Sequence, residues 1–96
     1  MIHEIAMLTI DPANAAAFER AVAQARPIFL AAEGCHAMRL EQVIETPGLY
    51  RLVVDWDSIE AHMVTFRAGQ GYQDWRALVA PFFTAPPQVS HSRAVP

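Results

Sequence analysis

Tyr50-Arg51-Leu52-Val53-Val54-Asp55-Trp56-Asp57-Ser58-Ile59-Glu60-Ala61-His62-Met63-Val64-Thr65-Phe66 changes its hydrophobic period in the middle. In the first half Tyr50, Leu52, Val54 and Trp56 alternate, the pattern of a half-buried strand; in the second Ile59, His62, Met63 and Phe66 recur at helical spacing. Asp57-Ser58 between them reads as a helix start, with Asp57 as N-cap and Glu60 completing a capping-box-like pair. The sequence therefore predicts a strand running directly into a helix. The inward face of that helix carries one ionisable group, His62.

Upstream, Thr46-Pro47-Gly48 is a turn signal that joins this strand to an earlier one over Cys35–Ile44. The two form an antiparallel hairpin. On the earlier strand His36, Met38, Leu40 and Ile44 are expected on one face, and Cys35, Ala37, Arg39, Glu41 and Val43 on the other. Before it, Ala15, Phe18, Val22, Ala25 and Phe29 mark an amphipathic helix, opened by Asp11-Pro12 and closed by Gly34 as C-cap. Pro27 is expected to kink or split this helix near Arg26. Ile2–Ile10 reads as a first strand, apolar on both faces. Downstream, Gly69-Gln70-Gly71 interrupts the His62 helix. Tyr72, Trp75, Val79 and Phe82 resume helical spacing, with Pro81 limiting the helix to about Ala80. Val89–Val95 reads as a fourth strand, with His91 and Arg93 on one face.

The order β-α-β-β-α-β in 96 residues predicts a single α+β domain over 1–96, a ferredoxin-like antiparallel sheet with helices on one face. Hydrophobic residues make up 53%, and the helices leave the other sheet face bare. A second copy of the sheet is the expected cover, which makes a homodimer with a barrel-like core. Each subunit would keep a cleft between sheet and helices, with His62 pointing into it.

Composition excludes several classes. The net charge is −3 and all seven basic residues are scattered arginines, so no basic stripe is present to neutralise nucleic-acid phosphates. No signal-peptide pattern is visible, and no apolar run approaches the ~18 residues of a membrane span. One cysteine, Cys35, fits a reducing compartment, so a cytoplasmic location is expected. The four histidines, His3, His36, His62 and His91, show no HxH, HExxH or CxxC spacing, and no metal site is expected. A nucleophile elbow, a phosphate-cradling loop and a CxxCH haem attachment are absent.

What remains is a largely apolar pocket with a few polar groups: His62, Trp56, Tyr72, Trp75, His91 and Arg39, together with Phe66 on the His62 face. Such a pocket suits a flat aromatic or other small hydrophobic ligand. A neutral imidazole in a dry pocket could take a proton from a phenol or an acidic carbon. Each residue also has a plainer reading. His62 fits equally as a core histidine, and Trp56 and Trp75 as core aromatics. Tyr72 fits a surface-packed ring as well as the pocket mouth. His36 and His91 also fit a subunit interface, and Arg39 a solvated charge.

Glu33-Gly34-Cys35-His36 entering a strand, followed by Trp56-Asp57-Ser58-Ile59-Glu60-Ala61-His62 entering a helix, resembles the antibiotic biosynthesis monooxygenase domain family and its quinol monooxygenases. The likeness covers nearly the whole chain. It implies a dimeric α+β barrel and, in the cofactor-independent members, oxidation of anthrones or quinols whose own electrons reduce oxygen. On that resemblance no cofactor is needed, His62 is the candidate base or orienting group, and Trp56, Tyr72 and Trp75 shape the site. Haem-degrading members carry an asparagine on the first strand. This chain has none there, since Asn14 lies beyond it, so haem degradation is disfavoured. Two other uses of the scaffold stay open: a non-catalytic or stress-related barrel holding a hydrophobic metabolite, and an isomerase or cyclase.

Overall fold

The computed structural model describes residues 1–96. Its strands are β1 (Ile2–Thr9), β2 (Cys35–Gln42), β3 (Leu49–Trp56) and β4 (Gln88–Ser92), its helices α1 (Ala15–Leu30) and α2 (Gln70–Val79), with a π-helix over Ala61–Phe66. The strands form one sheet in the order β2-β3-β1-β4, every neighbouring pair antiparallel. This is the ferredoxin-like α+β arrangement that the sequence predicts.

Alternation along β1 sets the two faces. Ile2, Glu4, Ala6 and Leu8 are buried, while His3, Ile5, Met7 and Thr9 are only half-buried. The buried face meets α1 and α2 through Phe18, Val22, Ala25 and Phe29 of α1 and Trp75 and Val79 of α2. Phe29 lies at the centre, with ring centroids 5.0 Å from Phe66, 4.9 Å from Trp75 and 6.4 Å from Trp56. Burying such a ring stabilises the fold by about 1.5–3 kcal/mol, and each tilted or edge-on pair adds about 0.5–1.5 kcal/mol. On the opposite face Ile5 pairs with Val53 and Met7 with Arg51. Ile5, Met7 and Leu49, all half-buried, make an apolar strip there around the buried Val53. The His3–Asp55 pair borders it at one end, Arg51 lies within it opposite Met7, between Val53 and Leu49, and Arg39 and Glu41 flank it on β2.

Local chemistry explains the entries and exits, with several departures from expectation. Asp11 accepts the Ala13 N–H at 2.9 Å and Pro12 follows it, opening α1 through a 3-10 turn as the Asp-Pro pair predicts. α1 then runs unbroken through Pro27 to Leu30. It does not split near Arg26, because Pro27 lies in the last turn and costs only one hydrogen bond there. Gly34 is not the cap of α1, whose C-cap is Ala31. It sits at φ +81 in the turn into β2, where a Cβ would come 2.9 Å from that of Ala61. Its role is to let the π-helix approach.

A bulge between Cys35 and Ala37 leaves His36 off the inward face, reaching Asp57 at 2.5 Å instead. Ser58, not Asp57, caps the next helix: its Oγ accepts the Ala61 N–H at 3.1 Å. Asp57 still belongs to the strand edge, its N–H donating to Gly34 O at 2.8 Å, so the cap moves one residue on. The strands are also shorter than expected. β2 stops at Gln42 before the Thr46-Pro47-Gly48 turn, and β4 is Gln88–Ser92 rather than Val89–Val95.

The largest departure lies in the His62 segment. Arg67 N–H donates to His62 O at 3.3 Å, a five-residue step that widens the turn beyond 3.6 residues. Positions four apart, His62 and Phe66, both stay buried in that wider turn. Ile59 and Met63, expected inward, are rotated out and stand 46% and 38% exposed.

Candidate active site

Three strands and the π-helix converge on one carboxylate. β1 places Glu4 on its inward face, and the antiparallel register sets it opposite Val54 of β3 and His91 of β4. The π-helix lowers His62 onto this spot. Glu4 is 5% exposed and His62 3%, so both are removed from water despite their polarity. A buried charge without partners would be costly, and here the partners are specific. Trp56 donates its indole N–H to Glu4 Oε1 at 2.9 Å. His62 Nε2 stands 3.2 Å from the same oxygen. His62 Nδ1 lies 2.9 Å from His91 Nε2.

The electrostatics follow from burial. Desolvation pushes Glu4 up to about 6, opposed by the Trp56 hydrogen bond and the Arg67 charge. Desolvation also pulls His62 down to about 4, helped by His91 and Arg67. His91 is shifted downward too, mainly by burial and then by Arg67. At neutral pH the carboxylate is therefore ionised but a stronger base than usual, and His62 is a neutral ring. His62 and His91 share one hydrogen bond between Nδ1 and Nε2, one neutral ring donating and the other accepting.

Glu4 and His62 line a cavity of about 230 Å3 between sheet and helices. Its walls are mostly apolar, with Phe29, Phe66, Tyr72 and Trp75 supplying the aromatic surface. Arg67 lines the same space; its guanidinium carbon stands 5.8 Å from the Tyr72 ring centroid. The Arg67 Nε is buried without a hydrogen-bond partner. The Arg67 charge on this wall suits an anionic oxygen. No group of three or more His, Cys, Asp or Glu side chains is disposed to hold a metal ion.

Of the residues singled out in the sequence, His62, Phe66, Tyr72 and Trp75 line the cavity together. Trp56 stands behind them, fully buried and stacked on His62. His91 touches His62 from the far side and lines a different recess. Arg39 lies away from the cavity, paired with Glu41. His36 is exposed against Asp57. Sequence reasoning missed Glu4 and Arg67. The signals were a lone carboxylate on the face Ile2, Ala6, Leu8, and a lone cation directly after inward Phe66.

This geometry defines a ferredoxin-like α+β protein with an apolar cavity closed over a carboxylate–imidazole pair. The chain belongs to the antibiotic biosynthesis monooxygenase family, whose sequence pattern matches residues 1–78. It is 37% identical over 95 residues to the uncharacterized protein YczJ of Bacillus subtilis, covering 99% of this chain and 100% of that one. A solved structure from Bordetella bronchiseptica, named for the same family, is 49% identical with a TM-score of 0.95 over 98% of this chain and 96% of that one. SnoaB, a cofactor-independent oxygenase from Streptomyces nogalater, shares the fold with a TM-score of 0.77 at 17% identity, over 97% of this chain and 91% of that one.

Proposed function

We propose that this protein is a cofactor-independent monooxygenase of an electron-rich aromatic, a hydroquinone or an anthrone-like polyketide, acting as a homodimer. The observation that carries the reading is that one apolar cavity is lined by Glu4, His62 and the Arg67 cation together. Oxygenation without a cofactor requires the substrate to become an electron donor, which a phenol or acidic carbon does when it loses its proton. Glu4 takes that proton, His62 and Trp56 hold the carboxylate in place, and Arg67 stabilises the resulting oxyanion. The aromatic walls bind the ring and keep water away. The family membership and the oxygenase SnoaB on the same fold support this reading. The homodimer rests on the half-buried apolar side chains Ile5, Met7 and Leu49 of the sheet face that no helix of the chain covers.

Oxygen uptake with a panel of hydroquinones and anthrones tests it, comparing wild type with Glu4→Gln, His62→Ala and Arg67→Met. Consumption that falls at least tenfold in Glu4→Gln and Arg67→Met is the expected result. Thermal stabilisation by the same compounds without turnover would make the protein a binding barrel instead. Product formed equally well without oxygen would make it a proton-transfer enzyme.

A further inference from the structure

Arg76 lines both the interior cavity and a groove outside it. On α2, Tyr72, Trp75 and Arg76 fall on one face of the helix, and all three line the cavity. Arg76, with Phe83 and Pro87, also lines an outer groove of about 510 Å3, walled by the exposed Thr84-Ala85-Pro86 segment. The cavity itself holds about 230 Å3. That is short of the roughly 300–1,000 Å3 of most small-molecule sites. The three shared residues put the groove directly beside it.

We propose that the substrate is an aromatic bearing a side chain that lies in this groove and ends in a carboxylate held by Arg76. The inference rests on the reading of the cavity as the place where the aromatic ring binds. The ring fills the space between sheet and helices, and the side chain passes Phe83 and Pro87 on its way out.

The balance of charge favours a second anion. Glu4 is the one carboxylate lining the cavity, against the two guanidinium groups of Arg67 and Arg76, and no acidic residue lines the groove. Neither of these arginines forms a salt bridge within the chain, whereas Arg39 and Arg51 both pair with Glu41. A deprotonated ring oxygen answers Arg67. Arg76, which alone of the two reaches the groove, is left for another negative group.

The donors in the groove select a carboxylate over a phosphate. Arg76 is the only charged side chain there, and a planar guanidinium matches the two oxygens of a carboxylate. Pro86 and Pro87 have no backbone N–H to offer. Thr84 already donates its N–H and its hydroxyl to Thr9 O, at 2.9 and 3.3 Å. A phosphate, with more charge and more acceptor oxygens, finds too few partners. The wall also stands ready before a ligand arrives. Phe83 bridges to Ile10, Thr84 is tied to Thr9, and the prolines fix their own backbone, so binding orders little.

Calorimetric titration under argon tests the proposal with naphthols bearing a propanoate chain and the same naphthols as neutral propanamides. Wild type should bind the acids about tenfold more tightly than the amides, a preference that shrinks in high salt. Arg76 is exposed, so its variants should fold. In Arg76→Gln the acids should lose the tenfold while the amides keep their affinity, and Arg76→Lys should restore part of it. Ala85→Phe, which fills the groove without touching a charge, should weaken both chain-bearing series and leave plain naphthol unchanged. Equal binding of acids and amides by wild type would overturn the proposal. So would a preference that survives Arg76→Gln, chain-bearing ligands indifferent to Ala85→Phe, or no binding by any of the series. No oxygen is present, so a protein inactive as an oxygenase can still show the preference and an active one can still lack it.

Discussion

Trp56 and His62 lie nearly parallel, their ring centroids 5.4 Å apart and their planes at 20°, and the Glu4 oxygen that accepts the Trp56 N–H lies 3.2 Å from His62 Nε2. The stack gives the buried carboxylate one neutral donor, the Trp56 indole N–H, and packs a neutral imidazole beside it. It explains how an ionised group is tolerated at this depth on a strand face otherwise made of Ile2, Ala6 and Leu8. Replacing Trp56 by Phe keeps an aromatic partner for His62 but removes the indole N–H. The expected cost is about 2–4 kcal/mol at pH 7, the sum of a lost charge-assisted hydrogen bond and the void left behind. Urea unfolding measures it. Carboxyl NMR should show Glu4 moving further above about 6, since the Trp56 hydrogen bond is what lowers it.

The Glu4–His62 pair also shapes stability against pH, with opposite signs. Glu4 is raised from 4.5 to about 6 in the fold, so between those values the folded state binds more protons and this group makes stability fall as pH rises. His62 is lowered from 6.5 to about 4. Across that range the unfolded state binds more protons, and stability rises with pH. The two slopes oppose each other from about 4.5 to 6. Removing one member should expose the other. Relative to wild type, Glu4→Gln should gain a rising slope over this window and His62→Gln a falling one, read from unfolding midpoints at stepped pH. Matching slopes in the two variants would show that the pair does not titrate in this way.

The outer sheet face carries the prediction about assembly. Half-buried Ile5 stands opposite the buried Val53 in the β1–β3 register, on the sheet face that no helix covers. A carboxylate placed there stays solvated in a monomer but loses water when two sheets pack face to face. Wild type should be a dimer at micromolar concentration by light scattering. Ile5→Glu should weaken association by at least ~100-fold, the equivalent of about 2.7 kcal/mol, while the subunit keeps its fold. A wild-type monomer would remove the two-sheet assembly from the proposal.

Much of the site's frame was legible in the residues. The switch of period at Trp56–Ile59 located the strand-to-helix junction, and His62 stood out as the ionisable group beyond it. The details of that junction were less legible, because they depend on chain crossings. Ser58 replaces Asp57 as cap since Asp57 is still bonded to Gly34 at the strand edge. The π-turn turns Ile59 and Met63 outward against their apolar character, since Gly34 lets Ala61 approach closely and His62 and Phe66 take the inward positions.

By itself the sequence determined the order of elements, the faces of β1 and β3, the turn at Thr46-Pro47-Gly48 and the inward placing of His62. These follow from local periodicity and turn chemistry, which act between residues close along the chain. Only the tertiary structure decided that Glu4 would meet His91, at opposite ends of the chain, through the β1–β4 register. It also decided that Arg67 would line the cavity with its Nε unpartnered. Desolvation is a property of the assembled core, so the raised carboxyl and lowered imidazole exist only once strands, π-helix and aromatic walls have closed around them.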